Sequence, residues 1–216
     1  MKKLLSICLV LFGLSLAALS HADTIVTTGE PNYGYLSYDY PILFNAYDST
    51  VAAQFTLNAR YGITALQGKI YMDDIGKVVA AIYAADGIED SGTSMPGTLL
   101  FTRSVQYTDD TNFEQVDWHG PTGITGTYLE AGTYWISFYT TDTEAWMGSW
   151  SGGSVPNRLV EAFSDQQQPS DIWWAAILNL GVRIEGVQVS IPEPSIVLLL
   201  MAGLFGLVGL RRKLGL

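Results

Sequence analysis

Acidic residues gather where turns are expected: Asp73-Asp74, then Asp86, Glu89 and Asp90 in one glycine-containing loop, then Asp109-Asp110. Carboxylates converging within a loop are what calcium needs, because it takes six to eight oxygens in a flexible geometry. Asp86, Glu89 and Asp90 are the best candidates for such a site. None of the three segments has the EF-hand spacing, however, and solvated turn carboxylates are the commoner explanation. Aromatic chemistry is the second candidate. The six tryptophans are Trp118, Trp135, Trp146, Trp150, Trp173 and Trp174. A sugar ring packs its apolar C–H face on an exposed aromatic side chain with hydrogen-bonding groups beside it. Trp146 and Trp150, set among Gly and Ser between Glu144 and Ser154, are the pair placed to offer this, whereas most tryptophans of a domain this size fill its core.

Other chemistries lack their parts. Once the first 22 residues are set aside, His119 is the one histidine and no cysteine remains, so zinc has no ligand set. Gly148-Ser149-Trp150-Ser151-Gly152 has a tryptophan where a hydrolase elbow needs its serine, and no strand-to-helix context surrounds it. Paired carboxylates for glycoside cleavage depend on a separation that sequence does not reveal. The expectation is a protein without catalysis, with a secreted carbohydrate-active hydrolase as the alternative.

The elements that would position these residues are strands. Val51–Leu57, Ile63–Met72, Val78–Ala84, Thr98–Tyr107, Ile124–Leu129, Thr133–Thr140, Arg158–Phe163 and Leu180–Val189 are rich in Val, Ile, Tyr, Phe and Thr, and Gly, Asp, Asn, Ser and Pro part them. No helical stretch long enough for a β-α-β crossover intervenes, so the fold class is all-β, with about eight antiparallel strands in two packed sheets. Alternation in Thr133–Thr140 puts Tyr134, Ile136 and Phe138 on the core face and Trp135, Ser137 and Tyr139 on the other. In the last strand the apolar parity changes between Ile184 and Val187, which predicts a β-bulge at Gly186.

Both ends differ from this middle. Lys2 and Lys3 precede an apolar run, Leu4–Leu19, that closes on Ser20-His21-Ala22, the pattern of a secretory signal peptide cleaved before Asp23. Cys8 lies inside that run and goes with it. Export of this kind calls on the Sec translocon and signal peptidase. At the other end, Pro192-Glu193-Pro194 precedes the apolar segment Ile196–Leu210 and the basic cluster Arg211-Arg212-Lys213. Fifteen apolar residues are short for a span. Even so, the terminal cations fit the positive-inside rule, and Gly203, Gly206 and Gly209 make a stripe for close helix contact. The expected layout is therefore signal peptide 1–22, domain 23–190 and tail 191–216 with a transmembrane helix at about 196–210. The domain holds 6 Lys or Arg against 20 Asp or Glu, a net −14. Such a surface repels nucleic acid and anionic headgroups.

The order Pro-Glu-Pro, apolar helix, basic cluster resembles the PEP-CTERM sorting signal of Gram-negative bacteria. That resemblance implies recognition of Pro192, Glu193 and Pro194 by an exosortase in the inner membrane, removal of the helix, and delivery to the cell surface or the extracellular space. It departs from the usual pattern in Ile191 and in the three residues after Lys213. In the middle, Gln54-Phe55-Thr56-Leu57, Ile82-Tyr83-Ala84-Ala85-Asp86-Gly87, Pro96-Gly97-Thr98-Leu99-Leu100 and Leu129–Ile136 resemble the jelly-roll-like β-sandwich found ahead of such tails. The family's association with exopolysaccharide-producing bacteria implies a place in the biofilm matrix and polysaccharide as a partner.

Overall fold

Runs of β-branched and aromatic residues that alternate with polar ones become strands, and the computed structural model pairs every one of them antiparallel. The structure describes residues 22–29, 50–72, 75–88, 92, 94–108, 117–141, 145–147, 157, 159–164, 172–177, 180–189 and 203. The expected signal peptide, save Ala22, and the tail, save Gly203, lie outside these residues.

Among the described residues there are fourteen strands: β1 (Asp23–Thr27), β2 (Thr50–Leu57), β3 (Tyr61–Met72), β4 (Gly76–Ala84), β5 (Gly87–Ile88), β6 (Ser94–Met95), β7 (Leu99–Tyr107), β8 (Asp117–His119), β9 (Tyr128–Leu129), β10 (Gly132–Thr141), β11 (Ala145–Met147), β12 (Val160–Ser164), β13 (Trp174–Ala176) and β14 (Val182–Gln188). One sheet runs β1-β14-β3-β11, with β8 and β9 also paired to β3. The second runs β13-β12-β2-β10-β4-β7, and β5 and β6 form a small hairpin.

The two sheets bury one set of alternate residues between them. Val51, Phe55 and Leu57 of β2, Val78 and Ile82 of β4, and Ile136 and Phe138 of β10 meet Ile63, Leu66 and Ile70 of β3 and Val182 and Ile184 of β14. Glu161 ties the layers together: on β12 it is buried, and its Oε1 accepts from the N–H of Leu180, just ahead of β14, at 2.6 Å. The all-β antiparallel sandwich expected from the sequence is thus the observed architecture.

Two details differ from expectation. Ile124–Leu129 is a strand only at Tyr128–Leu129, because Gly123 and Gly126 take positive φ of 62° and 76° and the backbone turns there. The face of β10 opposite the core is not solvated either. Trp135 and Ser137 are both fully buried, and Trp135 packs in a second apolar cluster with Ala52, Ala81, Tyr83, Met95 and Trp173. Met95 of the β5–β6 hairpin and Trp173 therefore cover this outer side of the second sheet. Burial there pushes the Tyr83 phenol up to about 12.

The register shift foreseen at Gly186 is present, but the surplus residues sit on its neighbours. β14 runs unbroken, while Ile25 is skipped in the pairing of β1 and Thr64 in the pairing of β3, both beside the Glu185–Gly186 step. The apolar parity change is thus resolved in β3, whose inward residues pass from Ile63 to Leu66 across the bulge.

Candidate binding cleft beside Tyr128

The segment between β8 and β9 lies along β3 through backbone bonds: Leu66 N–H to Pro121 O, Ile124 N–H to Thr64 O, and Ile63 N–H to Thr127 O, each 2.9 Å. Such close approach needs Gly120, with φ 144°, because a Cβ there would sit against the carbonyl oxygen of Leu66. Between this loop, β3 and the end of β14 lies a cleft of about 460 Å³, walled by Gly62, Thr64, Thr125, Thr127, Tyr128 and Gln188. That volume falls within the range of small-ligand sites.

Tyr128 forms the exposed wall, with 54% of its surface accessible. A Cβ on Gly62 would meet its ring at 3.3 Å, so glycine at that place lets the ring lie over β3. The Arg60 guanidinium carbon stands 5.0 Å from the ring centroid, and Arg60 Nε pairs with Glu130 Oε1 at 3.2 Å. Both partners are fixed from behind. The Arg60 carbonyl accepts from Val189 N–H at 2.9 Å, and Tyr134 Oη donates to the Glu130 carbonyl at 3.1 Å. Thr64 Oγ1 is buried without a hydrogen-bond partner among the described residues. An aromatic face under a cation, threonine hydroxyls and the Gln188 amide together offer apolar contact and hydrogen bonding to one small polyhydroxylated ring. None of the cleft's lining residues is an acid or a histidine.

The residues singled out from the sequence are placed elsewhere. Asp86 is exposed, and both its oxygens serve the chain: Oδ1 accepts from Thr98 N–H and Oδ2 from Thr98 Oγ1–H, each at 2.7 Å. The Thr98 hydroxyl, then its N–H, holds this carboxyl below the usual carboxylate range. Glu89, Asp90, Trp150 and the segment Gly148–Gly152 lie outside the described residues. Trp146 belongs to β11, where its backbone pairs with Tyr71. Among the described residues no three His, Cys, Asp or Glu side chains gather where they could hold a metal. His119 is buried against the Tyr107 ring, 4.8 Å between centroids. Burial pushes its pKa down, Asp117 opposes the shift and Lys69 adds to it.

Tyr128 and Arg60 were not foreseen as a site. The available signal was the segment Pro121–Tyr128, where Gly123 and Gly126 alternate with three threonines ahead of a tyrosine. That composition suits a hydroxyl-rich loop held close to a strand.

Comparison with known proteins bears on the tail. Residues 190–213 match the family model of the PEP-CTERM protein-sorting motif, and the match takes in Pro192, Glu193, Pro194 and Arg211–Lys213. No curated protein and no solved structure matches the chain. The chain thus carries a PEP-CTERM sorting motif behind a domain of antiparallel β-sheets. The motif marks it as an exported protein sorted by an exosortase and directed to the cell surface by way of the membrane. No helix among the described residues is long and apolar enough to cross a membrane.

Proposed function

We propose that the sorted domain is a non-enzymatic matrix protein that holds extracellular polysaccharide through the Tyr128 cleft. The observation that carries this reading is the exposed tyrosine under Arg60, on a wall of hydroxyls, in a protein addressed to the outside of the cell. Sugar recognition uses that combination because each ring has an apolar face and a rim of hydroxyls. The described lining of the cleft holds no acid, and Glu130 beside it is engaged by Arg60, whereas glycoside cleavage uses two carboxylates flanking the bond; this supports holding over hydrolysis.

Affinity electrophoresis through gels containing single polysaccharides tests it, with the processed protein purified from its host. Retardation by at least one uncharged polysaccharide is expected, and Tyr128→Ala should weaken it about tenfold, the effect of one lost aromatic contact. Equal retardation of wild type and Tyr128→Ala, or none in any gel, refutes the reading.

A further inference from the structure

A second aromatic station lies on the same outer face of the first sheet. Trp118 of β8 pairs with Lys69 of β3. Ile70, next to Lys69 on its strand, points into the core, so Lys69 and Trp118 lie on the outer face, where Lys69 is buried beneath its neighbours; Arg183 and Glu185 of β14 lie on that face too, between and beside the core residues Val182 and Ile184. The Trp118 ring is half-buried, with the Arg183 guanidinium carbon 4.7 Å and the Lys69 ammonium 5.2 Å from its centroid. Arg183 donates from Nε and Nη2 to Gln67 Oε1 at 3.0 and 2.7 Å. This repeats at larger scale what Arg60 does at Tyr128.

Taking the Tyr128 cleft as a glycan site, we propose that Trp118 is the second station of one strip along β3, and that the strip's ligand is an uncharged polysaccharide chain. The register sets its length. Tyr128 pairs with Gly62 and Trp118 with Lys69, so the two rings stand at β3 positions about 20 Å apart at roughly 3.3 Å per residue, with Thr64 taken up in the bulge. A monosaccharide or disaccharide reaches one ring, and a longer chain reaches both.

Charge selects the class of polymer. Three of the domain's six cations, Arg60, Lys69 and Arg183, lie on this strip. Each already faces an acid: Glu130 at 3.2 Å, Asp117 at 3.6 Å and Glu185 at 3.6 Å. The strip is therefore locally balanced, inside a domain whose net charge repels polyanions at a distance. Sugar hydroxyls, which both donate and accept, can use both members of the Arg60–Glu130 and Arg183–Glu185 pairs, whereas in the third pair Lys69 is buried and Asp117 alone is open to them. A sugar carboxylate would instead have to displace the resident acid.

The test is isothermal titration calorimetry of the protein purified from its host against uncharged β-glucan and mannan fragments, disaccharide and hexasaccharide, and against an oligogalacturonate hexasaccharide. Wild type should bind one of the uncharged hexasaccharides about tenfold tighter than its disaccharide, and the acidic chain more weakly than either. Trp118→Ala should remove the gain from length, bringing hexasaccharide affinity down to that of the disaccharide. Trp118→Phe, which keeps an aromatic face, should retain most of the gain. If Trp118→Ala does not fold, Arg183→Met reads the same loss at the same station. Unchanged hexasaccharide affinity in these variants overturns the strip while the Tyr128 reading stands. Tighter binding of the acidic chain overturns the choice of an uncharged ligand. Failure of wild type to bind any fragment overturns the Tyr128 reading itself.

Discussion

Gly186 is a position where a single methyl group should do harm out of proportion to its size. A Cβ there would lie 2.5 Å from Ile25 Cδ1 and 2.7 Å from the carbonyl oxygen of Gly62. The first contact is with the tip of a side chain that can turn away. The second is with backbone held in register, since Gly62 pairs with Val187 on one side and Tyr128 on the other. The strain of Gly186→Ala therefore falls on the ladder between β14 and β3. Overpacking of this kind costs about 1–3 kcal/mol. For a domain of this length each kcal/mol lowers Tm by about 2–4 °C, so a 2 kcal/mol cost corresponds to a drop of about 6 °C. Thermal melts followed by circular dichroism on the purified protein measure it directly. Ile25→Val, which removes Cδ1, should recover only a minor part of the loss in the double variant. A Gly186→Ala melt within 1 °C of wild type, or full recovery by Ile25→Val, would refute the placing of the constraint in the Gly62 backbone.

Three other outcomes are expected. His119 is buried with its pKa pushed below the 6.5 usual for a histidine, so the unfolded chain takes up a proton first as the pH falls. Stability should then decline below about pH 6.5, by up to about 1.4 kcal/mol per pH unit, and His119→Phe should flatten that limb of a Tm-against-pH curve. Asp86, whose carboxyl is held below the usual 3.8, adds stability that is present above that pH and is lost as the pH falls through its lower folded value. Asp86→Ala should thus melt earlier than wild type at pH 7, by a margin that narrows as the pH is taken below 3.8. Replacing Pro192 and Pro194 together with alanine should leave protein of full tail mass in the membrane fraction, read by intact-mass spectrometry, whereas wild type should lose Arg211–Leu216.

The strands were legible because alternation and β-branching are local properties. The stretches around Phe55, Ile82 and Ile136 carry their inward and outward residues in plain order, and the sheets follow. What alternation does not carry is whether a further layer lies on the outward side. Trp135 reads as the polar-face partner of Ile136, and it is buried because Met95 and Trp173, distant in the chain, close over it. The bulge shows the same limit. The parity change in β14 revealed that one residue was surplus, but a surplus belongs to a pair of strands, and β3 took it at Thr64. Short strands such as β1 and β8 exist through their partners, and five or three residues hold too little pattern to announce them. The cleft was hidden for a related reason: Tyr128 acquires its cation from Arg60, which is brought to it by the pairing of β9 with β3. The sorting tail stood out because its parts are contiguous in sequence.

The pairing of β1 with β14 sets Asp23 beside Gly186, so the chain enters the domain at Ala22 and leaves it past Gln188 at the same end of one sheet. A domain held by its tail and pulled by moving fluid or by a bound polymer would take that load into β14. Because β14 lies between β1 and β3, with ladders on both flanks, a pull along its axis stretches many hydrogen bonds in shear at once, instead of opening them one after another like a zip. Its place in the sheet makes the strand that leads to the sorting signal a mechanical anchor for the whole domain.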